Sequence, residues 1–186
     1  MTKKILVIDL DNNLDRVKNF SNDINHLFKR QVIHLPLLAI DKSVNTNYSY
    51  EHFSIASFTL ENFILNCGSY WSSDKEFINV FYLWGEYNLH TLSNIEMFLD
   101  YSPKNLILFS SVWESYNDKW IFGNIIGMLK WSASLFKIDN GFKQLVDENT
   151  NYKNGNDFKY LLWYANRIGL DVKLINDFKN PAIELK

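Results

Sequence analysis

Two aspartates one residue apart, Asp9 and Asp11, close the apolar run Ile5-Leu6-Val7-Ile8. On an extended chain Leu10 points away from its neighbours, so both carboxylates can face one point. Two acids side by side among apolar residues are costly unless a cation or a proton offsets their repulsion. One chemistry that suits such a pair is a Mg²⁺ site with a carboxylate nucleophile. The other reading is structural, a strand-to-helix turn in which Asp11 caps the following helix. Residues 9–11 alone are compatible with both. Further along, two more apolar runs end in polar side chains, at Ser110-Ser111 and at Asn176-Asp177, and Lys153 sits in a polar loop before a helix.

These groups need elements to position them. Residues 4–9 read as a strand buried on both faces, because a strand with one wet face would alternate. Its end is then the carboxyl end of a central parallel strand, where open α/β sheets place ligands. Leu14, Val17, Phe20, Ile24, Leu27 and Phe28 recur at helical spacing and predict an amphipathic helix over 13–29. Pro36 makes 31–40 an irregular or edge strand. Residues 41–50 read as a loop, 53–67 as a helix, and 77–84 as a strand. Ser93 with Glu96 suggests a capping box opening a helix through Leu99. After Pro103 comes the buried strand 105–109, then an aromatic-rich helix over 119–136, with Gly123 and Gly127 as ordinary close packing within it. Asp157 caps a helix over 158–168 that Gly169 ends, and the last strand is 171–175. Strands alternating with helices predict an α/β fold with a mostly parallel central sheet.

Composition bounds the function classes. The chain has 186 residues, 47% of them hydrophobic, enough for one domain with a core and a small insertion. The net charge is −2 and the basic residues are scattered, which argues against an extended nucleic-acid footprint. Cys67 is the single cysteine, so neither an internal disulfide nor a cysteine-built zinc site is available. His26, His34, His52 and His90 do not pair at metal-ligand spacing. There is no signal-peptide pattern and no apolar stretch near the ~20 residues of a membrane helix, so the expected compartment is the cytoplasm and no membrane partner is expected. Aromatic residues make up 16% of the chain; core filling is the first explanation, with a pocket or partner surface as the second.

Four short segments, in this order, resemble the motifs of the haloacid dehalogenase-like hydrolase superfamily. Val7-Ile8-Asp9-Leu10-Asp11-Asn12-Asn13-Leu14 is similar to its first motif, an apolar strand followed by two spaced aspartates. Leu106-Ile107-Leu108-Phe109-Ser110-Ser111-Val112-Trp113 looks like the second, Tyr152-Lys153-Asn154 like the third, and Leu174-Ile175-Asn176-Asp177 like the fourth. The resemblance implies a three-layer Rossmann-like domain formed by residues 1–14 and 101–186, with a mainly helical, cap-like insertion over 15–100. It implies a Mg²⁺-dependent phosphatase in which Asp9 is the nucleophile and Asp11 the acid/base. Ser110 and Lys153 would hold the phosphoryl oxygens, and Mg²⁺ would sit on Asp9, the Asp11 carbonyl and Asp177. The substrate would be a small phosphorylated molecule, a nucleotide or nucleic-acid end being the favoured class, with Trp71, Tyr82, Trp84 and Tyr87 of the cap as candidates to stack on it. This reading requires neighbouring strand ends, with Asp9, Ser110 and Asp177 around one cleft.

Asn12 and Asn13 stand where the first motif usually carries Gly and Thr or Val, and the fourth shows one acid where two are common. These departures suit an alternative, a catalytically inactive scaffold acting as a protein-interaction protein of the inhibitor, immunity or signalling kind. Over residues 3–20 the chain also resembles response-regulator receiver domains, Lys3 to Asp11 being similar to their opening, although Leu10 separates the two acids that those domains carry side by side.

Overall fold

A computed structural model of the chain describes residues 4–37, 55–66, 77–99, 105–110, 120–137, 165, 168–175 and 183–184. The first strand, β1 (Lys4–Asp9), is buried from Ile5 to Asp9, as its unbroken apolar pattern requires. Helix α1 (Leu14–Phe28) follows, and its Val17, Phe20 and Ile24 form the inward stripe. Asn13 caps α1, its side chain accepting from the Arg16 N–H at 3.1 Å. At the other end Lys29 takes the left-handed conformation, φ 56°, and its N–H returns to the Asn25 carbonyl. The short strand β2 (Val32–His34) lies at the sheet edge, where the Pro36 argument put it.

A helix over residues 55–66, α2, and the strand β3 (Phe77–Leu83) come next. The helix expected to start at Ser93 starts earlier. Asn88 caps the short α3 (Leu89–Ser93), and Ser93 is its last residue, its hydroxyl donating to the His90 carbonyl at 2.7 Å. A 3-10 turn over Glu96–Phe98 completes the segment. The aromatic stretch read as a helix from 119 divides into a strand, β5 (Trp120–Asn124), and a helix, α4 (Ile125–Lys137), after the strand β4 (Leu106–Ser110). All five residues of β5 are buried. A run buried at every position has no face to give to water, so periodicity cannot tell strand from helix there. Gly123 belongs to this strand, and a Cβ on it would lie 2.9 Å from the Leu106 carbonyl oxygen of β4, so the close approach of the two strands needs glycine. Asn124 then caps α4, accepting from the Ile126 N–H at 3.0 Å. The last strands are β6 (Asp171–Ile175) and β7 (Ile183–Glu184), the second of which has no counterpart in the sequence reading.

The strands form one sheet in the order β2-β1-β3-β5-β4-β6-β7. β1 runs parallel to β2 and β3, and β4 parallel to β6, whereas β5 is antiparallel to both of its neighbours and β7 is antiparallel to β6. The fold is therefore α/β with a mixed, mostly parallel sheet. Alternate residues of the strands feed two apolar clusters, one on each face. Leu6, Ile8, Val80, Tyr82, Ile107 and Ile121 pack with Ala56 and Leu60 of α2 and Met128 and Trp131 of α4. Ile5, Val7, Phe81, Leu83, Leu108 and Phe122 pack with Val17, Phe20 and Ile24 of α1 and Leu92 of α3. Within the stretch expected as a cap over 15–100, α1, β2, β3 and α3 thus belong to the sheet or pack on it. No helix among the described residues is long and apolar enough to cross a membrane.

Candidate functional site at the end of β1

The chain leaves β1 for β2 on one side and later places β3 on the other, so the strand order reverses at β1. In open α/β sheets the crevice outside the carboxyl ends at such a reversal is where ligands bind. Asp9 lies at this point, in register with Leu83 of β3, and the Leu10 N–H donates to the Leu83 carbonyl at 2.8 Å. The turn that follows is well tied. Asn12 takes the left-handed conformation at φ 50°, which asparagine tolerates better than most residues. Its side-chain oxygen accepts from the Leu37 N–H at 3.1 Å, joining the turn to the segment after β2.

Asp9 is fully buried. Its Oδ1 accepts from the backbone N–H of Asp11 at 2.9 Å and of Asn13 at 3.3 Å, so the strand-end carboxylate fills the start of α1. The Nη1 of Arg16 lies 3.2 Å from Asp9 Oδ1, 3.1 Å from Asp9 Oδ2 and 3.0 Å from Asp11 Oδ2. Three carboxylate oxygens therefore converge on one guanidinium nitrogen. Burial pushes the Asp9 carboxyl above its ordinary range, and this outweighs the opposing pull of the Asp11 N–H and the Arg16 charge. His34, at the end of β2, feels the same site: burial holds its imidazole below the ordinary value, with the Asp9 charge acting the other way. Its Nε2 is buried with no hydrogen-bond partner among the described residues. On the flank, Tyr87 donates to Asp23 of α1 and its ring meets Phe20 edge-on at 5.3 Å, which ties the loop after β3 to α1.

No family model, curated protein or solved structure matches the chain.

Of the residues singled out in the sequence, the fold brings Asp9 and Asp11 together as expected. The capping role once open to Asp11 belongs to Asn13. Ser110 ends β4, and the strand ends are not neighbours in the way expected. β3 and β5 stand between β1 and β4, a separation of roughly 14 Å at about 4.8 Å per strand. Ser110 is instead in register with Ile175 of β6. The Ser110 side chain, Ser111, Lys153 and Asp177 lie outside the described residues, as does Trp71. Tyr82 and Trp84, named as stacking candidates, are both buried in the core of the sheet, so neither presents a ring to a ligand.

Arg16 was not singled out, although its position carried a signal. It stands three residues after the Asn13 cap, where side chains of a first helical turn lean back toward the strand end. Its presence decides how Mg²⁺ would fit. Both carboxylate oxygens of Asp9, the ligand this turn would supply by its side chain, already accept from a guanidinium, and β6, the strand before the expected ligand Asp177, lies four strands from β1. Among the described residues no group of three or more His, Cys, Asp or Glu is arranged to hold a metal. The residues at this turn do not fit the ion that the motif resemblance implies.

Proposed function

We propose that this chain is a non-catalytic α/β scaffold that works by binding a protein partner, not a phosphohydrolase. The observation that carries this reading is the strand order. A phosphoryl-transfer site of the kind implied by the motifs needs the nucleophile, the phosphate-binding serine and the metal ligand within a few ångströms, and β3 and β5 separate β1 from β4 and β6. The order β2-β1-β3 is also the beginning of the flavodoxin-like doubly wound arrangement, the layout of a Rossmann-like three-layer domain. That supports the receiver-like version of the scaffold. A receiver takes its phosphoryl group on an acid ending the third strand, and here Leu83-Trp84-Gly85 occupies that place.

The phosphohydrolase reading keeps one observation in its favour, the convergence of Asp9 and Asp11 on a single point at the strand-order reversal. A phosphatase screen with Mg²⁺, run on the wild type beside Asp9→Asn, separates the two. The scaffold reading expects the same background turnover from both proteins. Mg²⁺-dependent hydrolysis by the wild type that Asp9→Asn abolishes would establish the phosphohydrolase.

A further inference from the structure

We propose that Arg16 is the resident cation of the β1 turn: its guanidinium takes the place of a divalent ion between Asp9 and Asp11, closing the pair to metals. Two carboxylates meeting at one point need positive charge there, and a protein can supply it from solution or from its own chain. Here Nη1 is 3.0–3.2 Å from three carboxylate oxygens. An oxygen-ligated divalent ion would draw the same oxygens in to about 2.0–2.6 Å. Asp11 is partly exposed, whereas Asp9 is held by its backbone hydrogen bonds and full burial. The guanidinium does not reach the site by chance. Asn13 accepts from the Arg16 N–H and so sets the first turn of α1, which aims the side chain back over the end of β1.

An arginine in this role differs from a metal in what it allows. It cannot be lost to a chelator, it is always charged, and it offers no open coordination position to a substrate oxygen. The turn is then constitutively closed, and one side chain stands between it and a cation site made of both aspartates and water.

The test is a Mn²⁺ titration of the full chain followed by amide NMR, with melting temperatures in Mg²⁺ and Mn²⁺ as a second readout. In the wild type the amides of residues 9–16 should show no saturable broadening and the melting temperature should stay flat. Arg16→Met should show saturable Mn²⁺ broadening at those amides and a melting temperature that climbs with either ion. Adding Asp9→Asn to it should remove both effects. Arg16→Lys, which keeps the charge, should behave as the wild type. Saturable broadening in the wild type, or a folded Arg16→Met that ignores both ions, overturns the proposal. Should Arg16→Met fold only when metal is added, the proposal is supported, and should it fold under no condition, the wild-type titration decides alone. Metal occupancy is read separately from turnover: an inert phosphatase screen with a metal-binding wild type would leave the scaffold reading standing and remove Arg16 from this role.

Discussion

Replacing Arg16 with methionine should destabilise the protein far more than replacing Asp11 with asparagine, although both changes break the same cluster. Asp9 is fully buried, and both of its oxygens accept from Arg16. Removing one partner of a buried pair leaves an uncompensated charge and costs about 3–5 kcal/mol. The N–H groups of Asp11 and Asn13 still donate to Oδ1, so the lower end, about 3 kcal/mol, is the expectation at neutral pH. For a chain of this size that corresponds to a fall in melting temperature of about 6–12 °C. Asp11 has a side chain 26% exposed, and its pair with Arg16 is solvent-screened, so Asp11→Asn should cost no more than about 1 kcal/mol. The pH dependence identifies the cause. The Asp9 carboxyl already titrates above its ordinary value, and without the Arg16 charge it is pushed higher. An acid with a raised pKa in the fold favours the folded state increasingly as pH falls through that pKa toward the unfolded value of 3.8. The Arg16→Met deficit should therefore shrink on acidification, and Asp9→Asn in the same chain should recover most of it. Urea denaturation followed by tryptophan fluorescence, repeated across pH, measures all of this. A neutral-pH deficit below about 1 kcal/mol, or one unchanged by acid, refutes the reasoning.

The buried contact between Tyr82 of β3 and Ser132 of α4 is asymmetric. Ser132 Oγ donates to the Met128 carbonyl at 2.6 Å and so accepts from the Tyr82 hydroxyl at 2.9 Å. Ser132→Ala removes the oxygen that accepts from the buried Tyr82 hydroxyl and should cost about 1–3 kcal/mol, whereas Tyr82→Phe, which leaves Ser132 its bond to Met128, should cost about 0.5–1.5 kcal/mol, both read from urea midpoints. His34, whose imidazole is held below 6.5 by burial, contributes stability that is complete above 6.5 and is lost as pH falls from there toward its folded value. The difference in melting temperature between the wild type and His34→Gln, followed from neutral to about pH 5, should change in that sense, and a constant difference would remove His34 from the account.

Much of the fold was legible because its strands are dense in apolar residues. The runs 4–9, 77–84, 105–109 and 171–175 each become a strand, and the stripe of Val17, Phe20 and Ile24 becomes the inner face of α1. What misled was Trp120 to Asn124. Five buried residues followed at once by a helix read as one aromatic-rich helix over 119–136, and only tertiary pairing with β3 and β4 distinguishes the two. The candidate site was half legible. The Asp9–Asp11 pair is a local feature, set by strand alternation and a turn, and local features survive into the structure. The counter-cation lay within the same local logic, since Arg16 is one helical turn past the cap, but a lone arginine in an amphipathic helix carries the same pattern as any solvated charge.

Strand order was not legible, and it matters more for function than any single element. Each motif-like segment reports where a strand ends, and nothing within it reports which strand lies alongside. β5 decides that question by returning antiparallel from the end of β4 and pairing on its other side with β3. The carboxyl ends of the parallel strands are thereby sorted into two groups along one sheet edge. Asp9 stands with Leu83 and His34, and Ser110 stands with Ile175. Since Trp120 of β5 pairs with Leu83 at that same edge and is buried, the interval between the groups is filled by core and is not an open cleft. Among the described residues Ser110 thus stands three strands from Asp9, and a cation from within the acids' own turn, Arg16, meets both Asp9 and Asp11.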